Sequence, residues 1–178
     1  MGNFFDNIRT RRWWMNALSL LFCALVVANI CVIYAFSAES SEQSSDRSEG
    51  VADSIAGIIV DGYHEMESNE QQVYIDKIHS PLRKFAHFSL FACLGSLTTI
   101  FIYSLGLKKW YFTIVVPLGF GILNAIFDEL HQMYSAGRVS DITDILIDFA
   151  GVAIAVAIVN LSACLIFRYA PKKQSDIV

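Results

Sequence analysis

Four stretches of this chain are about twenty residues long and almost free of charge, which is the length needed to cross roughly 30 Å of hydrocarbon. They are Trp13 to Phe36, Phe85 to Leu107, Trp110 to Phe127 and Ile145 to Phe167. A chain built this way has few folds open to it. Every backbone polar group inside a bilayer must be satisfied internally, so runs of this length become helices. The composition agrees: 54% of the 178 residues are hydrophobic and only 17% are charged, where a soluble domain carries about a quarter charged. The expected fold is all-α: a polytopic membrane bundle of four transmembrane helices near 14–36, 84–107, 110–128 and 144–167. Residues 1–178 form one domain. No basic block suggests nucleic acid as a partner.

Between the first and second runs lies a polar insert, residues 37–80, rich in serine and acidic residues at its start. Val51, Ile55, Ile58 and Ile59 recur at three to four residues, which predicts a short amphipathic helix lying on the membrane or on the bundle. Asp61-Gly62 marks its end, because glycine readily takes positive φ. Gln71 to His79 reads as a further short helical piece, with Pro81 in the first turn of the next helix. The opening run is longer than the apolar core of a signal peptide and is expected to remain as a helix.

Lysine and arginine set the expected orientation. Arg9, Arg11 and Arg12, the Lys108-Lys109 turn, and Arg168, Lys172 and Lys173 form the basic segments, while the insert is acidic. Both termini are therefore expected in the cytoplasm and the insert outside. Arg83 and Lys84 then stand on the outer face, against the bias, which suggests that they have a task. Cys23, Cys31, Cys93 and Cys164 all fall inside apolar runs and read as small buried residues rather than a disulfide framework.

In this topology the start of the second helix and the facing ends of the third and fourth share one surface. Arg83, Lys84 and His87 are three to four residues apart at the start of the second. Asn124, Asp128, His131 and Gln132 fall on one stripe of the third. Asp141, Asp144 and Asp148 line the start of the fourth. An ionised Asp148 facing lipid would cost several kcal/mol, so it is expected to face the bundle and find a partner. The side chains include metal-ligand types, but there is no HExxH and no cysteine pair. Neither a metal nor another cofactor is expected. Ala92, Gly95, Ser96 and Thr99, and later Gly151 and Ala155, give small-residue spacings suited to close helix contact.

These blocks resemble the VanZ family. The matching text is Arg83-Lys84-Phe85-Ala86-His87-Phe88, Asp128-Glu129-Leu130-His131-Gln132, Gly137-Arg138, Asp144 and Gly151. The family pattern carries asparagine four residues after that aspartate, where this chain has Asp148. The resemblance implies a multi-pass protein of the bacterial plasma membrane, linked to resistance to glycopeptide antibiotics, teicoplanin above all. It supplies no mechanism.

Two classes of mechanism fit the residues. One is a membrane-embedded hydrolase or transferase acting on a lipid-linked head group, with His131 or Asp128 as base and His87 as acid. The other is a binding or transport cleft in which no bond is broken. In both, Arg83, Lys84 and Arg138 hold phosphate or carboxylate, and Glu129, Gln132, Asp144 and Asp148 complete the ligand-binding set. The expected partners are membrane lipid and an amphiphile such as a lipoglycopeptide or a cell-wall precursor.

Overall fold

The computed structural model describes residues 13–134 and 141–169. Helix α1 spans Trp13–Ser37, α2 Ser41–Ile59, α3 Ser68–Ser104, α4 Val116–Gln132 and α5 Ile142–Tyr169. A 3-10 turn, Tyr63–Glu65, precedes α3, and a π-helical turn, Tyr111–Val115, leads into α4. There is no strand among the described residues. Helices α1, α3 and α5, and α4 together with its π-helical turn, are long and apolar enough to cross a membrane. Their outward faces carry large apolar side chains, Leu20, Leu21 and Val27 on α1 and Ile154, Ile158 and Leu161 on α5, as lipid-facing helices do. Cys23, Cys31, Cys93 and Cys164 are free, as expected, but exposed on these helices rather than buried, since an apolar run marks a span and not which of its faces is turned inward.

The four-span bundle is as the sequence predicts, but the second span differs from its expected bounds. It does not begin at residue 84 after a separate short helix. One helix runs from Ser68 to Ser104 with Pro81 inside it. Proline removes one helical N–H and crowds the preceding turn. Glu, Gln and Lys on the approach from Ser68 are good helix formers, and they carry the helix through it. At 37 residues, α3 is about 55 Å long, far more than roughly 30 Å of hydrocarbon needs, and its first half is the polar one.

Helix α2 starts where a capping box allows it. The Ser40 side chain accepts from the Gln43 backbone N–H, and the Gln43 side chain accepts from the Ser40 N–H, both at 3.2 Å. The sequence leaves two placements open for this helix, and its Val51/Ile55/Ile58/Ile59 stripe does not make the contact with the bundle. Ser48, Ala52 and Ala56 are buried, while Val51, Ile58 and Ile59 are exposed. Small side chains on that face let α2 lie close along α3. Gly62, at φ 73°, makes the turn that follows. Tyr63 then donates to Asp53 Oδ1 at 2.6 Å, pinning the turn back onto α2.

The core is formed by Ile33 of α1, Phe91 and Leu94 of α3, Ala125 of α4 and Val152 and Val156 of α5. Its tightest point is the contact of α3 with α5. A Cβ on Gly151 would collide with the Phe88 backbone carbonyl, and one on Gly95 would stand 2.8 Å from the Val152 carbonyl. The Val152 side chain in turn fills the space left open at Gly121 of α4. Asn160 secures the far end. It accepts from the Tyr103 hydroxyl at 2.9 Å and donates to the Thr113 carbonyl at 3.0 Å. Pro117, one turn later, has no N–H to offer that carbonyl. Ser19 of α1 donates to the Ser104 carbonyl at 3.1 Å, tying α1 to the end of α3.

Gly151→Ala is expected to destabilise the bundle by about 1–3 kcal/mol, because the obstacle is backbone that cannot rotate away. A thermal melt in detergent beside Gly50→Ala, whose Cβ meets nothing, checks this. An unchanged midpoint for Gly151→Ala would refute the close contact. A second expectation concerns pH. Its hydrogen bond to Asp53, followed by burial and the Asp53 charge, pushes the Tyr63 phenol from 10.0 up to about 12. A raised pKa means stability that is full below pH 10 and is lost as pH rises from 10 to about 12. Hydrogen exchange in the α2–turn segment should rise across that window, and Tyr63→Phe should flatten the response.

Candidate functional site

Three helices deliver charged side chains to one end of the bundle. His87 lies in the turn of α3 next to the Gly151 contact, and Asp148 lies one turn before Gly151 on α5. The glycine approach therefore sets these two against each other. Asp128 and Gln132 are one turn apart on the same side of α4, since four residues nearly complete a turn. Ser37, at the end of α1, donates to the Asp128 backbone carbonyl at 3.3 Å and holds that stretch of α4 against α1.

The centre of the site is the group His87, Asp128 and Asp148. His87 Nδ1 is 3.8 Å from Asp128 Oδ2 and 4.0 Å from Asp148 Oδ2. The two carboxylate side chains are only 1% and 4% exposed, so water does little to screen them. Gln132 Nε2 donates to Asp128 Oδ2 at 2.7 Å and fixes that carboxylate. Asp148 Oδ1 is buried with no hydrogen-bond partner among the described residues. A void of about 20 Å³ is lined by Arg83, Lys84, His87, Gln132, Asp144 and Asp148. That is room for one water molecule or one ion.

Around this centre the predicted residues divide. Lys84 Nζ stands 3.8 Å from Asp144 Oδ1 in a partly exposed pair. Glu129 is buried, and its Oε1 accepts from the Asp141 backbone N–H at 2.7 Å. It therefore joins the end of α4 to the start of α5. Asp141 Oδ1 accepts from the Thr143 backbone N–H at 2.9 Å and caps α5. Hydrogen bonds from Thr143, side chain first and backbone second, hold the Asp141 carboxyl below its usual range. These two acids do structural work. Asn124 donates to the Phe120 carbonyl of its own helix.

His131 is not brought to the cluster. Consecutive helical residues are about 100° apart, and while Gln132 is buried, His131 is exposed and sets its ring edge-on to Tyr34 of α1 at 5.8 Å. Arg138 lies outside the described residues.

Sequence reasoning missed a second compartment. An apolar groove of about 220 Å³ runs between the end of α1, α2 and α3. Phe36, Val51, Leu82, Ala86 and Leu90 form its walls, and Arg83 and His87 border it as they border the small void. Arg47 also lines it, held by Glu39 at 2.6 Å and by the Phe36 ring at 4.8 Å. The Ser40-to-Gln43 spacing, a legible capping signal, would have placed the start of α2 and with it this wall.

A four-span helical bundle with a half-buried histidine and two buried carboxylates clustered at one end defines a polytopic membrane protein with a polar site. A family model described as VanZ/LLP1 matches residues 21–166, most of the chain, and the protein belongs to that family. Comparisons with curated proteins and with solved structures gave no match.

Proposed function

We propose that the protein binds an amphiphile with an anionic head group at the outer face of the bacterial plasma membrane, and thereby lowers susceptibility to lipidated glycopeptides such as teicoplanin. The groove is the observation that carries this. Its apolar walls suit an acyl chain, and Arg83 and His87 are among the polar residues that line it, with Arg47 and Glu39. Sites for small molecules are of this kind, mostly apolar with a few converging polar groups. Arginine holds phosphate or carboxylate with two parallel hydrogen bonds. Among the described residues, no carboxylate lies within ion-pair distance of Arg83, whereas Lys84 faces Asp144 and Arg47 faces Glu39. The family resemblance supplies the link to glycopeptides, and the groove supplies the preference for a lipidated one.

The outward placement follows from the basic segments at both ends of the chain and at Lys108-Lys109. In a chain freed of its native cysteines, Ser54→Cys should react with an impermeant thiol reagent on intact cells, and Lys108→Cys should not. The opposite pattern would invert the proposed orientation.

The binding reading is tested with purified protein in nanodiscs, titrated with teicoplanin, with vancomycin and with anionic phospholipid. Teicoplanin or the phospholipid should bind, and vancomycin, which lacks an acyl chain, should not. Arg83→Ala should weaken binding at least tenfold, since a charge-assisted bond contributes about 1.5–3 kcal/mol. The same variant should abolish protection against teicoplanin in cells at matched expression. Protection that persists in full with Arg83→Ala would reject the assignment.

A further inference from the structure

We propose that His87, Asp128 and Asp148 form a binding site for one divalent cation of the zinc or manganese kind. This goes beyond the amphiphile reading and does not depend on it.

Each of the three side chains offers one ligand atom, and these atoms all lie within 4.8 Å of one another. Ligands around a tetrahedral ion at about 2.0–2.1 Å stand about 3.4 Å apart. The 3.8 and 4.0 Å separations from His87 Nδ1 exceed that by a few tenths of an ångström, which small side-chain rotations recover. The three donors come from three different helices, so the bundle itself holds them in place.

Asp148 is the second, independent observation. Its side chain is 4% exposed, and its Oδ1 meets no hydrogen-bond donor among the described residues. A buried carboxylate left in that state is costly unless a cation faces it or a proton neutralises it, and a cation would serve Asp128 and Asp148 together. The local charges point the same way. Asp128, Glu129 and Asp148 are buried together, Asp144 is close by, and the described cations here are Lys84, which faces Asp144, and Arg83. Glu129 is occupied by the Asp141 N–H. The void beside His87 and Asp148 has room for a water that would complete the coordination.

The donor set selects the ion. One imidazole with two carboxylates suits Zn²⁺ or Mn²⁺, whereas Mg²⁺ and Ca²⁺ prefer oxygen ligands throughout. Gln132 supplies the outer support that metal-binding carboxylates have elsewhere, since its amide donates to Asp128 Oδ2 at 2.7 Å.

The test is calorimetric titration of the full chain, purified with chelator and exchanged into detergent, with Zn²⁺ alone, Mn²⁺ alone and Mg²⁺ alone. A thermal melt runs alongside each, since an ion that binds only the folded state raises the midpoint. About one Zn²⁺ or Mn²⁺ per chain is expected, with a raised midpoint and little response to Mg²⁺. Removing an outer support costs 10–100-fold in metal affinity, so Asp148→Asn and His87→Gln, which remove ligands, should each weaken binding at least about tenfold. His64→Ala, a histidine on the 3-10 turn, should leave it unchanged. If one ligand variant does not fold, the other decides. A wild-type chain that binds neither ion, or folded ligand variants that bind as tightly as wild type, would overturn the proposal. Either result leaves the Arg83 experiment with amphiphiles as it stands.

Discussion

The close contact of α3 with α5 is the constraint on which the rest depends. Gly151 against the Phe88 carbonyl, and Gly95 against the Val152 backbone, set a helix separation that no side chain at those positions would permit. In lipid there is no water-driven force between helices, so packing and polar contacts hold them together. Val152 reaching into the space at Gly121 brings α4 into the same junction. His87 and Asp148 sit one residue and one turn from that contact, and the site inherits its geometry.

The site is also a charge problem. Two carboxylates with side chains 1% and 4% exposed face one imidazole at about 4 Å. Interactions between such groups are far stronger than at a water-exposed surface. Only part of the acidic group is employed in holding the fold. Glu129 and Asp141 fasten α4 to α5, and Lys84 offsets Asp144. Asp128 and Asp148 remain at the centre, facing His87 from two different helices.

Much of this architecture is legible in the sequence. The four spans follow from the apolar runs, and the small-residue spacing at Gly95 and Gly151 marked the helices that approach most closely. Asp148 was expected to face inward because lipid would not tolerate it, and it does. The missed parts each have a physical reason. Pro81 reads as a helix start, and only the favourable residues on both sides show that the helix continues through it. The periodic signal of the insert lies in its large apolar side chains, yet α2 packs through Ser48, Ala52 and Ala56, which are too small and too weakly apolar to stand out in the sequence. His131 shares a motif with Asp128 and Gln132, but one step along a helix is enough to turn it out of the site. The groove could not be read from any single segment, because its walls come from three.

Arg83 and His87 border both the groove and the small void. The oily compartment and the small charged one thus share two side chains, mounted one turn apart on a single helix. A change of torsion angle at either residue reshapes both compartments at once, with no displacement of backbone.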